Sequence, residues 1–291
     1  MSADSKQKRV SQRELSQILE RTSERDKAVL QTLHDYKYLL TSQIQRLYFR
    51  QAISKLSALR ATSRCLLRLE AWGLVAALKR RIGGVRAGSG SYVWTLTPVG
   101  YRLLDLLNKP EQHKAVRKRL YEPSPVFLQH TLAVAEVAIR LTELAGNRRI
   151  GLLERQLEPD CWRSYVSASG SLSTLRPDLY VVTVAGGGKA EYEDHWFIEV
   201  DLATEPPVVV VRKCQQYLTY MRSGEEQQRS GVFPLVVWLV PDDKRKESLA
   251  AHIAESLPSD KDFFVVTTLS QFEQLVLTGE LASEQRQEAG S

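Results

Sequence analysis

Four charged side chains in the C-terminal half of the chain have types and spacing suited to phosphodiester chemistry. Asp178 lies at the start of one predicted strand, and Glu199 and Asp201 lie two residues apart at the end of the next. Alternate residues of a strand share a face, so Glu199 and Asp201 are predicted to point the same way. Converging carboxylates can hold Mg²⁺, and Lys213 on the following helix could stabilise developing phosphate charge. The sequence thus predicts a catalytic set of Asp178, Glu199 and Lys213, with Asp178, Glu199 and Asp201 as metal ligands.

Each of these side chains also has a purely structural interpretation. Asp178 could cap the start of its strand, and Glu199 and Asp201 could be solvated or paired with Arg212. Lys213 could be an ordinary surface lysine. The residue types alone leave both interpretations open.

A second set of residues, in the N-terminal half, is suited to binding DNA. Arg60, Arg64 and Arg68 recur at intervals of four, so a helix would carry them as one stripe. Predicted strands with basic residues and a glycine-rich turn follow this helix, which stops at Gly73. The candidate DNA-binding residues are Arg60, Thr62, Ser63, Arg64, Arg68, Lys79, Arg80, Arg81 and Arg86.

The elements that must position this set occur in the order helix, helix, helix, basic hairpin, helix over residues 24–108. That order is typical of a winged helix-turn-helix. Its third helix fits the major groove of DNA, which is about 12 Å wide, and the hairpin can lie along the backbone or the minor groove. A winged helix used for protein contacts is the alternative, but it does not explain why the basic residues gather on this helix and hairpin.

The charge distribution agrees with a polyanion-binding segment. Residues 41–120 contain sixteen Lys and Arg and three Asp and Glu, a net charge of +13, whereas the rest of the chain sums to −7. No GxxxxGK[ST] motif is present, so we exclude a phosphate-binding loop of that kind. Cys65, Cys161 and Cys214 form neither a disulfide framework nor a zinc pattern and are expected to be buried structural thiols.

From residue 125 the hydrophobic pattern restarts in the order α-β-β-β-α-β-α-β. We therefore predict a multi-domain α/β protein whose second domain contains a mixed sheet. The predicted divisions are a polar N-terminal extension (1–23), the winged-helix domain (24–108), a basic linker (109–124), the α/β domain (125–270) and a C-terminal tail (271–291). The sequence has no long apolar run and no secretory signal, which predicts a cytoplasmic protein that does not enter a membrane.

Several of these motifs carry a resemblance. The second half of the chain resembles the PD-(D/E)xK nuclease superfamily in the order of its motifs, which are RPD, then FIEVD, then a helix with Lys and QxxxY. The chain more closely resembles the replication-relaxation family of plasmid and mobile-element proteins. This resemblance is carried by EVDLATEP followed by KCQQY, by QHTLAVAEV and by the upstream winged helix. The resemblance covers roughly residues 25–240 and implies a restriction-endonuclease-like core in the second domain. The chain departs from the nuclease pattern at Asp201, where that pattern has a lysine; Lys213 could supply the charge from another position, and otherwise the fold is kept without the chemistry.

The leading hypothesis is a sequence-selective double-stranded DNA-binding protein of a plasmid or mobile element, acting in replication-relaxation, mobilisation or transcriptional control. A Mg²⁺-dependent DNA endonuclease or nickase is the second hypothesis, and a protein-binding adaptor is the third. Expected partners are duplex DNA, replication or relaxase proteins and a second copy of the chain, since winged-helix proteins often bind palindromes as dimers.

Overall fold

A computed structural model describes residues 10–50, 54–79, 91–108, 122–167, 170–188 and 192–278. These residues form a mixed α/β protein, which confirms the predicted class. They divide into two compact units, with the division between Ala135 and Glu136. The predicted linker at 109–124 lies almost wholly outside the described residues, as do Arg80, Arg81 and Arg86.

The first unit contains helices and a small sheet. Along the chain its elements are α1 (Gln12–Arg21), α2 (Glu24–Tyr36), β1 (Leu39–Leu40), α3 (Thr41–Tyr48), α4 (Lys55–Ala71), β2 (Val75–Ala77), β3 (Val93–Leu96), α5 (Pro98–Asn108) and the beginning of α6 (Pro125–Gly146). The strands pair antiparallel in the order β1-β3-β2. The core is formed by apolar side chains that recur at helical spacing, among them Val29, Leu30, Leu33, Ile44, Leu66 and Leu69.

Two boundaries of the first unit differ from the prediction. The predicted polar extension at 1–23 contains α1, which begins with a capping box at Ser11 and buries Leu15. The first unit also extends past residue 124, because Leu128 and Leu132 of α6 pack against Leu78 and Val93. Helical periodicity in a polar sequence does not reveal a single buried leucine, so the N-terminal helix could not be assigned to the core in advance.

The second unit is built on a five-stranded mixed sheet. Its elements after α6 are β4 (Gly151–Leu157), β5 (Arg163–Val166), β6 (Leu172–Leu175), β7 (Leu179–Val184), α7 (Ala185–Gly188), β8 (Asp194–Val200), α8 (Pro207–Ser223), α9 (Glu225–Ser230), β9 (Leu235–Val240), α10 (Asp243–Ser256), β10 (Phe264–Thr268) and α11 (Leu269–Thr278). The sheet order is β10-β9-β8-β7-β4, in which β10, β9 and β8 run parallel and β7 and β4 pair antiparallel. The nearly continuous apolar sequence of β9 accounts for its place inside the sheet.

One face of this sheet is covered by α8 and α10. Phe197 of β8 and Trp238 of β9 belong to the same buried cluster as Tyr217 of α8 and Leu249 of α10. A hairpin of β5 and β6, which the sequence did not predict, also packs on α8.

The predicted C-terminal tail also begins inside the fold. Phe272 and Val276 of α11 are fully buried, and Phe272 contacts Trp196 of β8 edge to face. Within the described residues, no helix combines the length and the apolarity needed to cross a membrane.

Candidate nucleic-acid interface

The exposed side of α4 carries the arginine stripe predicted from the sequence. The helix begins at Lys55, with Ser54 as its N-cap, and ends at Ala71. Two residues later, Gly73 adopts the left-handed conformation with φ +73°. Arg60 and Arg64 are exposed. Within the described ranges, no hydrogen bond or ion pair engages either guanidinium, so both can meet an external anion.

Arg68 is placed differently from its two neighbours on the stripe. Its Nη2 donates to Oδ1 of Asp26 at 2.6 Å, and the Asp26 side chain is only 3% exposed. The guanidinium also lies 5.6 Å from the ring centroid of Trp72. Arg68 therefore ties α4 to α2 and is less available to DNA than Arg60 and Arg64.

Asp26 was not among the site residues predicted from the sequence. It closes a capping box with Ser23 at the start of α2 and also accepts from the thiol of Cys65 at 3.2 Å. Burial raises the pKa of Asp26, but hydrogen bonds from Ser23, Cys65 and Arg68 outweigh this effect, so the net pKa is lowered. The capping box is visible in the sequence, whereas the contact with α4, 42 residues away, depends on packing.

The other predicted contacts of the first unit have mixed outcomes. Thr62 is fully buried and donates to the carbonyl of Ala58, so its prediction as a DNA donor is wrong; the residue lies on the core side of α4. Ser63 is half-buried and Lys79 is exposed after β2. Arg80, Arg81 and Arg86 fall outside the described residues.

A pocket of about 570 Å³ lies between α2 and α4. Arg25, Arg64 and Arg68 line it together with Phe49, and the Arg25 guanidinium lies 5.1 Å from the Phe49 ring centroid. Glu24 and Asp26 also line the pocket, and Asp26 pairs with Arg68, so Arg25 and Arg64 are the cations of the lining that Asp26 does not neutralise.

In the second unit, the structure brings Asp178, Glu199 and Lys213 into one electrostatic network. Glu199 lies on β8 and is 1% exposed; its Oε2 accepts from Nζ of Lys213 at 2.5 Å and its Oε1 accepts from the hydroxyl of Tyr217 at 2.5 Å. Asp178 accepts from the backbone amide of Val200 at 2.8 Å and acts electrostatically on Glu199 and Lys213. We call Asp178, Glu199, Lys213 and Tyr217 the Glu199 cluster.

The pKa values in the Glu199 cluster are shifted by burial and by neighbouring charge. Burial raises the pKa of Glu199 to about 8, against the opposing effect of the Lys213 ammonium. Burial lowers the pKa of Lys213, but the carboxylates of Glu199 and Asp178 outweigh it, so the net pKa is raised. The packing of α8 on β8 therefore creates a closed, hydrogen-bonded pair of Glu199 and Lys213 in which burial favours the protonated form of Glu199.

Asp201 does not join this cluster. Its Oδ2 accepts from Nε of Arg245 on α10 at 2.6 Å, and Arg245 also donates to the carbonyl of Glu205. Asp201 and Glu199 do lie on one side of the sheet, facing α10 and α8, but each has its own cation. The sequence offered no signal for Arg245, and the alternative partner Arg212 is exposed.

The Glu199 cluster does not fit a Mg²⁺ ion. Both oxygens of Glu199 are engaged by Lys213 and Tyr217, and both oxygens of Asp201 are engaged by Arg245. Among the described residues, no group of three or more Asp, Glu, His or Cys side chains could hold a metal ion. The structure therefore does not assemble the predicted ligand set of Asp178, Glu199 and Asp201, because Asp201 belongs to a separate ion pair and both oxygens of Glu199 are engaged.

The three cysteines are free and buried, as expected. Burial raises the pKa of each thiol to about 12. Thiolates are the nucleophilic form of cysteine, so these side chains are structural.

The described residues thus define a mixed α/β protein with an exposed cationic helix in one unit and the buried, hydrogen-bonded Glu199 cluster in the other. The replication-relaxation family model matches residues 30–236, which is most of the chain, and the chain belongs to this family. No curated protein and no solved structure matches it.

Proposed function

We propose that the chain is a sequence-selective double-stranded DNA-binding protein that acts in replication-relaxation, mobilisation or transcriptional control of a plasmid or mobile element. The observation that carries the proposal is the exposure of Arg60 and Arg64, engaged by no partner within the described residues, on one side of α4. Membership of the replication-relaxation family supports the setting.

The order of elements supports a winged helix as the DNA-binding module. Helix α2, strand β1, helices α3 and α4, and strands β2 and β3 follow one another as in that fold, with the sheet order β1-β3-β2. In this assignment α4 is the recognition helix and enters the major groove. Arg60 and Arg64 then meet base edges or phosphates, and the pocket lined by Arg25 lies beside the phosphate backbone.

We further propose that the second unit is a PD-(D/E)xK-like domain that serves as a scaffold. Asp178 and Glu199 lie on or next to neighbouring antiparallel strands, and Lys213 reaches Glu199 from α8. Because the carboxylate oxygens are already engaged, the cluster stabilises the packing of α8 on the sheet, with no metal-dependent cleavage. Replication or relaxase proteins and a second copy of the chain are partners in the proposed role.

A binding experiment tests the proposal. Duplexes selected from a randomised library by the full-length chain are measured by gel shift with wild type, with the double variant Arg60→Ala/Arg64→Ala and with Arg212→Ala. The double variant should lose about 1–3 kcal/mol of binding free energy per specific contact. Arg212→Ala removes an exposed arginine from the second unit and should leave binding unchanged.

Two outcomes would contradict the proposal. Unchanged binding by a correctly folded double variant would rule out this orientation of α4. A wild-type chain that shifts no duplex would favour the protein-binding adaptor instead.

The scaffold role is tested on supercoiled plasmid with Mg²⁺ or Mn²⁺. We expect binding without nicking. Nicking that disappears in Asp178→Ala would show that the cluster rearranges to cleave DNA and would overturn the scaffold assignment.

A further inference from the structure

The face of α4 that carries Arg60 and Arg64 also carries exposed leucines. Leu56 is 56% exposed and Leu67 is 57% exposed, although leucine side chains in a helix of a folded unit are usually buried. At about 100° per residue, Leu56 lies roughly 40° and Leu67 roughly 20° from Arg60 around the helix. The order along the face is therefore Leu56, Arg60, Arg64, Leu67.

Leu59 provides an internal comparison. It is 43% exposed but lies roughly 100° from Arg60 around the helix, on the side of Glu70. Around the helix, Leu56 and Leu67 therefore lie between Arg60 and the edge that carries Leu59 and Glu70, while Arg64 and Arg68 lie toward the opposite edge. The part of the face that is complementary in charge to a polyanion is the part that contains Arg60 and Arg64.

This mixed apolar and cationic face fits the major groove better than it fits a second copy of the chain. Two copies meeting through the same leucines would bring the arginines of both copies together, and like charges at an interface repel. In the major groove the phosphates attract the arginines, while the 5-methyl group of thymine offers an apolar contact.

We propose that Leu56 and Leu67 determine the DNA sequence specificity by packing on thymine methyl groups. This inference rests on the proposed DNA-binding function. The two leucines are about 16 Å apart along α4, at 1.5 Å per residue. This distance is several times the 3.4 Å step between neighbouring bases, so the two side chains contact different base pairs. The recognised sites contain thymines on both sides of the positions that Arg60 and Arg64 contact.

Replacing thymine by deoxyuridine tests the inference, because it removes only the methyl group and keeps every hydrogen-bonding group of the base. Duplexes selected from a randomised library by the full-length chain are resynthesised with one deoxyuridine at a time. Wild type should bind about fourfold more weakly at each contacted thymine, the effect expected from exposing one apolar carbon group.

The leucine variants connect each thymine to one side chain. Leu56→Ala should become insensitive to deoxyuridine at one position and Leu67→Ala at another, while each keeps its sensitivity elsewhere. Leu59→Ala removes the same group from the other side of α4 and should keep the full wild-type pattern.

The experiment distinguishes failure of this inference from failure of the proposed DNA-binding function. DNA binding that ignores deoxyuridine, or selected sites without thymines, would overturn this inference and leave the proposed function standing. If Leu56→Ala or Leu67→Ala changes the oligomeric state in the absence of DNA and leaves the deoxyuridine pattern intact, the leucines form a protein contact and the inference is wrong. Absence of any duplex binding by wild type would overturn the proposed function and this inference together.

Discussion

Among the side chains of α4, Arg64 and Arg68 differ in what they contact, although they lie one turn apart. Arg64 is engaged by no described partner, whereas Arg68 pairs with the buried carboxylate of Asp26. An ion pair whose carboxylate is buried is costly to break from one side, because the remaining charge is left without its partner. The stability and the DNA affinity of the chain should therefore respond to different arginines.

We expect Arg68→Ala to lower the free energy of unfolding by about 1–3 kcal/mol, a value reduced from that of a fully buried pair because the Arg68 side chain is 46% exposed. Arg64→Ala should leave unfolding nearly unchanged and weaken DNA binding. Chemical denaturation of each full-length variant, paired with gel shifts, measures both effects. If Arg64→Ala lowers the stability and Arg68→Ala instead weakens DNA binding, the assignment of Arg68 as a structural residue is wrong.

Glu199 gives a prediction for pH dependence. Its pKa in the folded chain, about 8, lies above the ordinary value of 4.5, so the folded chain holds a proton that the unfolded chain releases between these values. The free energy of unfolding should therefore fall as the pH rises from about 5 to 8, by an amount on the order of a few kcal/mol. The raised pKa of Lys213 contributes stability that is complete below 10.5 and lost only at higher pH.

Denaturation curves of wild type and Glu199→Gln across this pH range test the prediction. The variant cannot release a proton at this position, so its stability should change less between pH 5 and 8. Parallel pH profiles for the two proteins would mean that Glu199 is ionised throughout the range.

At the scale of elements, the packing of α5 leaves no room for a side chain at Gly100. A Cβ there would overlap the carbonyl oxygen of Leu74, which is held in place by the amide and the hydroxyl of Thr97. The helix would have to move away from the strand region that it covers. Gly73 requires glycine for another reason, since its φ is +73° and nothing lies near its missing Cβ.

We predict that Gly100→Ala destabilises the first unit by about 1–3 kcal/mol or more, as expected for overpacking, whereas Gly73→Ala costs about 1 kcal/mol from backbone strain alone. Thermal denaturation of the two variants under identical conditions compares these costs. Equal destabilisation would indicate that α5 shifts easily and that its contact with Leu74 is loose.

The elements that sequence patterns predicted are those with strong internal periodicity. The apolar spacing of α2, α3 and α4 and the nearly continuous apolar sequence of β9 are local properties, and all four elements form where they were expected. The hairpin of β5 and β6 has strands of only four residues, and burial alternates along β5 but not along β6. Its formation depends on contacts with α8, which no local pattern contains.

The candidate sites were predictable to a similar degree. Helical spacing placed Arg60 and Arg64 on one exposed face, and strand alternation placed Glu199 and Asp201 on one side of the sheet. The cations that neutralise these carboxylates lie elsewhere: Lys213 and Arg245 come from two different helices. Whether a carboxylate is open to a metal depends on such long-range pairs. Sequence patterns could therefore indicate that Glu199 and Lys213 lie close together, but not that Asp201 pairs with Arg245 instead.

For the molecule as a whole, the proposed DNA-binding function depends on how charge is distributed along the chain. Residues 41–120 have a net charge of +13 and the remaining residues sum to −7. A uniformly basic protein would bind DNA through many parts of its surface, whereas this distribution restricts the attraction to one segment. Because each cation–phosphate contact releases counterions, the affinity should fall steeply as salt increases.

The confinement of phosphate contacts to the basic segment can be tested by replacing two exposed lysines, one from this segment and one from the acidic remainder of the chain. Lys79→Ala should weaken binding to all duplex sequences alike and should reduce the magnitude of the slope of log affinity against log salt by about 1. Lys244→Ala, from the second unit, should leave the slope unchanged. Titrations at several salt concentrations with the full-length chain give both slopes. If the two lysines contribute equally, phosphate contacts extend over the acidic remainder as well, and the binding surface is not confined to the segment that contains α4.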